Sequence, residues 1–192
     1  VITSYAVAEA VTVPLTGWLA ARFGAVRVFA TAMGLFGVAS LLCGLANSLG
    51  FLVFARILQG FAGGPLMPLS QTLLLRIFPP RMAPAAVGLW AMTTLIAPVL
   101  GPIVGGWICD QYSWHWIFLI NIPVAIGCAF AAWNLLKRYE LPKLKNPIDT
   151  VGLVLLFTWV GALQLMLDEG KNLDWFASGT IVTLAIVAVV GF

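Results

Sequence analysis

Apolar residues fill seven stretches of the chain, at 2–20, 28–46, 51–75, 85–108, 116–136, 148–167 and 177–192, and nearly all the charge lies between them. A helix of about 20 apolar residues crosses ~30 Å of hydrocarbon at ~1.5 Å per residue, so each stretch predicts one membrane-spanning α-helix. The last is the shortest and reads as an incomplete span. Within hydrocarbon, only helices and closed barrels satisfy every backbone N–H and C=O. Barrel strands would alternate polar and apolar residues over ~10 positions, and these runs do not. The predicted fold class is all-α: a polytopic bundle of membrane helices. The sequence opens at Val1 within one span and stops at Phe192 within another, so a protein longer at both ends is expected.

Composition strengthens this picture. Hydrophobic residues make up 61% of the chain and charged residues 9%, against about 45–50% and about 25% in soluble domains. The intervening segments share the positive charge unequally. Arg22, Arg27, Arg76, Arg81, Lys137, Arg138, Lys143 and Lys145 fall in the first, third and fifth segments, whereas the second, fourth and sixth hold only Lys171. Positive loops stay in the cytoplasm, so the Val1 end is expected outside and residues 137–147 inside. Trp107, Trp114, Trp116 and Trp175 then cluster near the outer surface, where an aromatic belt belongs. Segment 137–147 is charged, contains Pro142 and Pro147, and is expected to be a cytoplasmic linker between helix groups.

Several classes of chemistry find no support. The loops are too short for a soluble catalytic domain, and no nucleophile–base pair or metal-ligand cluster lies within the spans, so an enzyme is not expected. Cys43, Cys109 and Cys128 are far apart and lack paired spacing, which makes them small apolar residues rather than metal or disulfide ligands. The net charge of +3 sits beside the spans and forms no basic face interleaved with aromatics, so nucleic acid is not an expected partner.

Two charges lie well inside apolar runs, Glu9 and Arg56. A charge near the bilayer centre costs on the order of 3 kcal/mol or more, so each should face protein or a wet cavity. At about 100° per residue, Tyr5, Glu9, Thr12 and Thr16 form one polar stripe. Glu9 is either protonated and bonded to a neighbouring helix, or a cavity-lining site for protons or cations. Arg56 is shallow enough to snorkel, yet Gln59, Gly63 and Ser70 share its face, beside the helix-bending Pro65 and Pro68. A third feature is the run Ala97, Gly101, Gly105, whose spacing of four lets helices touch backbone to backbone. Pro98 and Pro102 bend the same helix, and Gly106 extends its bare surface.

These segments carry a resemblance to the major facilitator superfamily. Gly17-Trp-Leu-Ala-Ala-Arg22-Phe-Gly24, continued to Arg27, resembles the superfamily's cytoplasmic gate motif between spans two and three. Here the motif's acidic position is Ala21 and its second basic cluster is reduced to Arg27. Arg56-Ile-Leu-Gln59-Gly60 is similar to the span-four motif whose arginine is associated with proton coupling. Ala97-Pro98-Val-Leu-Gly101-Pro102-Ile-Val-Gly105-Gly106 resembles the span-five antiporter motif of exporters. Together with ITSYAVAEAVTVPLTGWLA, SWHWIFLINIPVA and LDEGKNLDWF, they resemble the fourteen-span EmrB/QacA branch of drug:proton antiporters.

The resemblance implies a partial major facilitator fold. Residues 1–136 would be spans two to six of the N-terminal bundle, 137–147 the linker, and 148–192 the extra central spans seven and eight, eight being truncated. It implies export of lipophilic drug-like molecules across a bacterial inner membrane, driven by the proton gradient without a cofactor. It further implies a periplasmic adaptor and an outer-membrane channel as partners. It gives Arg56 a part in proton coupling; Glu9 matches no motif of the family, and its expected part in coupling, like the expected lining of the substrate cavity by Tyr5, Glu9, Thr12, Thr16, Gln59, Gly63 and Ser70, rests on the polar stripes within the spans. An importer of the same fold should lack the Gly101-Pro102 and Gly105-Gly106 run. A membrane sensor or scaffold would not need Glu9 and Arg56 within its spans.

Overall fold

The computed structural model describes residues 1–140, 149–173 and 175–191. Ten α-helices and two short 3-10 turns account for the ordered elements, with no strand among the described residues. The linker positions Pro142, Lys143, Lys145 and Pro147 lie outside those residues, as do Ile148, Asp174 and Phe192. Among the described residues, five helical segments are long and apolar enough to cross a membrane.

Proline explains where expected spans are bent. The first span is two helices, α1 (Ile2–Thr12) and α2 (Thr16–Phe23), joined by a turn at Pro14. Proline has no N–H and its ring clashes with the carbonyl four residues back, so a helix bends there. Val13 and Leu15 nevertheless keep helical dihedrals, making this a kink within one span. The same happens at Pro65, between α4 (Leu49–Gly63) and α5 (Leu66–Ile77). By contrast, α6 (Ala83–Gln111) runs unbroken through Pro98 and Pro102.

The other helices are α3 (Ala25–Gly44), α8 (Asn121–Leu136) preceded by the single-turn α7 (Trp116–Leu119), α9 (Thr150–Glu169) and α10 (Gly179–Gly191), the last, like the divided first stretch, falling short of a full span. Side-chain caps fix two starts: Ser48 accepts from the Phe51 amide and Asp149 from the Gly152 amide.

Packing is built on small residues. Ala8, Ala25, Ala32, Ala39, Ala55, Ala62, Ala125 and Ala132 are all buried, whereas Leu35, Leu89, Leu95, Ile103 and Phe130 are exposed. In a bilayer, association of helices depends on close backbone approach, and large apolar side chains can face lipid at no cost. Helix α3 is central, packing on α4 and α8, while α1 packs on α4 and α9, and α10 on α9. One cluster, at the end bearing Arg22, Arg27 and Arg76, joins Val26 and Val28 to Leu69 and Leu73. A second, at the Trp-rich end, joins Cys43, Ala55 and Phe118.

Candidate functional site

A close crossing of α1 and α4 positions the site. A Cβ on Gly60 would lie 2.5 Å from the Tyr5 carbonyl oxygen, 2.8 Å from Ala8 Cβ and 3.1 Å from the Glu9 amide nitrogen. One turn on, a Cβ on Gly64 would strike the Thr12 side chain and lie 2.9 Å from the Glu9 carbonyl oxygen. Glycine four residues apart on α4 therefore lets α1 lie directly against it. This contact brings the Tyr5–Glu9 turn of α1 to the Arg56–Gln59 turn of α4.

The Arg56 guanidinium packs against protein side chains. Its guanidinium carbon lies 5.1 Å from the Tyr5 ring centroid and 5.0 Å from that of Phe118, which clamp it by cation–π attraction. Nη1 donates to Gln59 Oε1 at 2.9 Å, and the Nε–H is buried without an acceptor among the described residues. Gln59 is 1% exposed; its Nε2 donates to Ser40 Oγ at 2.6 Å, and its Oε1 also accepts from Cys43 Sγ at 3.8 Å. A charged arginine is thus held in an apolar bundle by two rings and one amide. Glu9 is half-buried and forms no ion pair with Arg56 among the described residues.

The remaining expected cavity residues separate into groups. Gly63 faces the Tyr5 hydroxyl, and a Cβ there would sit 3.0 Å from it. Thr12 and Thr16 are buried; the Thr12 hydroxyl donates to the Ala8 and Glu9 carbonyls of α1, and that of Thr16 reaches back across the Pro14 kink to the Thr12 carbonyl. Ser70 lies on α5, beyond Pro65, and makes no described contact with Arg56. Its hydroxyl accepts from Trp90 Nε1 at 3.0 Å, tying α5 to α6. Gly101 and Gly106 have open space where a Cβ would go, Gly105 meets only Ile117 at 4.0 Å, and Pro98 and Pro102 are exposed. Apart from Gly105 against Ile117 of α7, these positions meet no described helix.

At the basic end, Gly24 adopts φ +99° to join α2 to α3, a value that favours glycine. The Glu140 carboxylate accepts from the amides of Val26 at 3.2 Å and Arg27 at 3.1 Å, placing negative charge on the α3 N-terminus. Arg22 stacks 5.7 Å over Trp18, and Gly17 is open. At the aromatic end, Trp107, Tyr112 and Trp116 contact in series and His115 stacks on Trp114 at 3.7 Å.

Sequence reasoning missed Ser40, Phe118, Glu140 and the Gly60/Gly64 pair, and took Cys43 for a purely apolar residue. Ser40 and Cys43 were detectable as a polar pair three apart on α3; Phe118 carried no signal that separates it from lipid-facing aromatics.

All 192 residues match the family model described as Major Facilitator Superfamily. The chain belongs to this superfamily. It is 56% identical over 190 residues to the fatty acid resistance protein FarB of Neisseria gonorrhoeae, covering 99% of this chain and 38% of that protein. It is 51% identical to the multidrug export protein EmrB of Haemophilus influenzae and 48% identical to EmrB of Escherichia coli K12, in each case over 99% of this chain and 37% of the relative. The chain therefore spans under two fifths of the length of these major facilitator relatives. The all-α, multi-pass membrane architecture agrees with that membership.

Proposed function

We propose that this chain is part of a proton-coupled exporter of lipophilic small molecules in a bacterial inner membrane, working by alternating access. The observation that carries this reading is Arg56, a permanent cation clamped between Tyr5 and Phe118 with an unused buried donor. Arginine stays protonated through any cycle, so it cannot carry the proton. It can hold a nearby carboxylate ionised until drug leaves and a proton arrives. Glu9 is one candidate carboxylate, and an acid on a span outside this chain is the other. A proton moving inward through 100 mV contributes ~2.3 kcal/mol to each cycle.

The open face of α6, with Gly101 and Gly105, would pack against the rest of the transporter and move against it. Gly17, Arg22, Gly24 and Arg27 would belong to the cytoplasmic gate, with the Val1 end outside. A periplasmic adaptor and an outer-membrane channel would complete the export path. The similarity to the fatty acid resistance protein FarB favours a second cargo class, fatty acids.

The test is drug-induced proton release by the whole protein in proteoliposomes, measured across pH with a lipophilic cation and, separately, a fatty acid. Arg56→Ala should move the pH midpoint upward, and Arg56→Lys, which keeps charge but loses the planar fork, should act in between. An unchanged midpoint in Arg56→Ala refutes coupling through Arg56.

A further inference from the structure

We propose that Ser40 is a positioning residue for Arg56, acting through the orientation of the Gln59 amide. This rests on the proton-coupling reading above. An amide presents an acceptor oxygen on one side and donor hydrogens on the other. Gln59 is buried between Arg56, which only donates, and Ser40, whose oxygen can accept. With the carbonyl toward Arg56 and the NH2 toward Ser40, every pair is donor to acceptor, and the Cys43 thiol adds a weak second donor to the carbonyl. The flipped amide would set its NH2 against both the guanidinium and the thiol.

Ser40 is 0% exposed, so no bulk solvent can replace its oxygen. Without it, Gln59 Nε2 is left buried and unpaired, a state costly enough to turn the side chain toward another acceptor. Arg56 then loses the one hydrogen bond it makes with a described residue. The rings of Tyr5 and Phe118 restrain the guanidinium from its faces, but only the Gln59 carbonyl fixes its rotation within that plane. That rotation decides where the remaining N–H groups point, and hence which carboxylate they can hold. The α3–α4 interface, through Ser40 and Cys43, sets the aim of a charge on α4. The ionisable groups around Arg56 on the packed elements are Tyr5 and Glu9 of α1 and Cys43 of α3; Phe118 of α7 cannot titrate.

The experiment compares variants of the whole protein in proteoliposomes, reading proton release induced by tetraphenylphosphonium against pH. The midpoint is independent of how much protein is folded. Ser40→Ala is expected to raise it by about one unit, the lower end of what an opposite charge at ~4–6 Å contributes. Ser40→Thr keeps the oxygen and should keep the parental midpoint. If Ser40→Ala does not accumulate, Ser40→Cys, a poorer acceptor of similar size, should shift the midpoint the same way by less. An unchanged midpoint in the variant measured, or a threonine shift equal to the shift that variant gives, overturns the proposal. If Arg56→Ala shifts the midpoint and Ser40→Ala does not, positioning alone fails. If Arg56→Ala also leaves it unchanged, the coupling reading itself is refuted.

Discussion

Adding one methyl group at Gly60 should do more damage than its size suggests. The new Cβ would sit 2.5 Å from the Tyr5 carbonyl oxygen and 3.1 Å from the Glu9 nitrogen, both backbone atoms that no rotamer change can remove. Relief requires α1 and α4 to separate by on the order of 1 Å, and overpacking of this kind typically costs about 1–3 kcal/mol. Alanine returns up to ~1 kcal/mol of helix propensity relative to glycine, which offsets only part of this. Controls are Gly34→Ala on α3 and Gly127→Ala on α8, where a Cβ meets nothing within 4 Å, so propensity alone applies. The assay is thermal unfolding of the whole protein in detergent. This chain is 38% of the length of a whole relative, and at about 2 cal/mol/K of unfolding entropy per residue each kcal/mol shifts so long a protein by only about 1 °C, so Gly60→Ala should unfold about 1–2 °C below the parent while the controls stay level or rise. The same separation moves Tyr5 from Arg56, so transport should fall in step. If Gly60→Ala matches Gly34→Ala in stability, the backbone crossing of α1 and α4 is wrong.

Three further outcomes are expected. Glu140→Ala removes the acceptor for the Val26 and Arg27 amides and should cost about 0.5–2 kcal/mol; Glu140→Gln should restore most of it, and equal melting of all three proteins would count against the cap. With loop positive charge on one side, a cysteine at Asn47 should react with an impermeant thiol reagent applied outside and one at Arg81 should not; reversed labelling would invert the topology. Glu9→Gln should weaken export of cationic drugs roughly tenfold or more, the effect of one lost contact to a charged group, while sparing neutral ones; an equal loss for both would mark Glu9 as structural.

The apolar run lengths decided the membrane helices, because a bilayer demands about 20 apolar residues per span and internal backbone hydrogen bonding wherever it is crossed. The asymmetry of Arg and Lys between loops was equally legible, as were the motifs around Arg56 and Gly101. Pro65 was expected to bend its helix, and α4 ends just before it, whereas the interruption of the first span at Pro14 was not anticipated. What the sequence could not determine was which small residues are used. Gly60 and Gly101 look alike along the chain, yet one lies against the backbone of α1 and the other faces open space. Nor could it select Ser40, Cys43, Phe118 and Glu140 as the partners of Gln59, Arg56 and the α3 N-terminus, which lie up to 114 residues away. Hydropathy is a property of each residue and its near neighbours, so it can be read in one dimension. Hydrogen bonds and ring contacts between helices depend on rotation and crossing geometry, which exist only once the helices have packed.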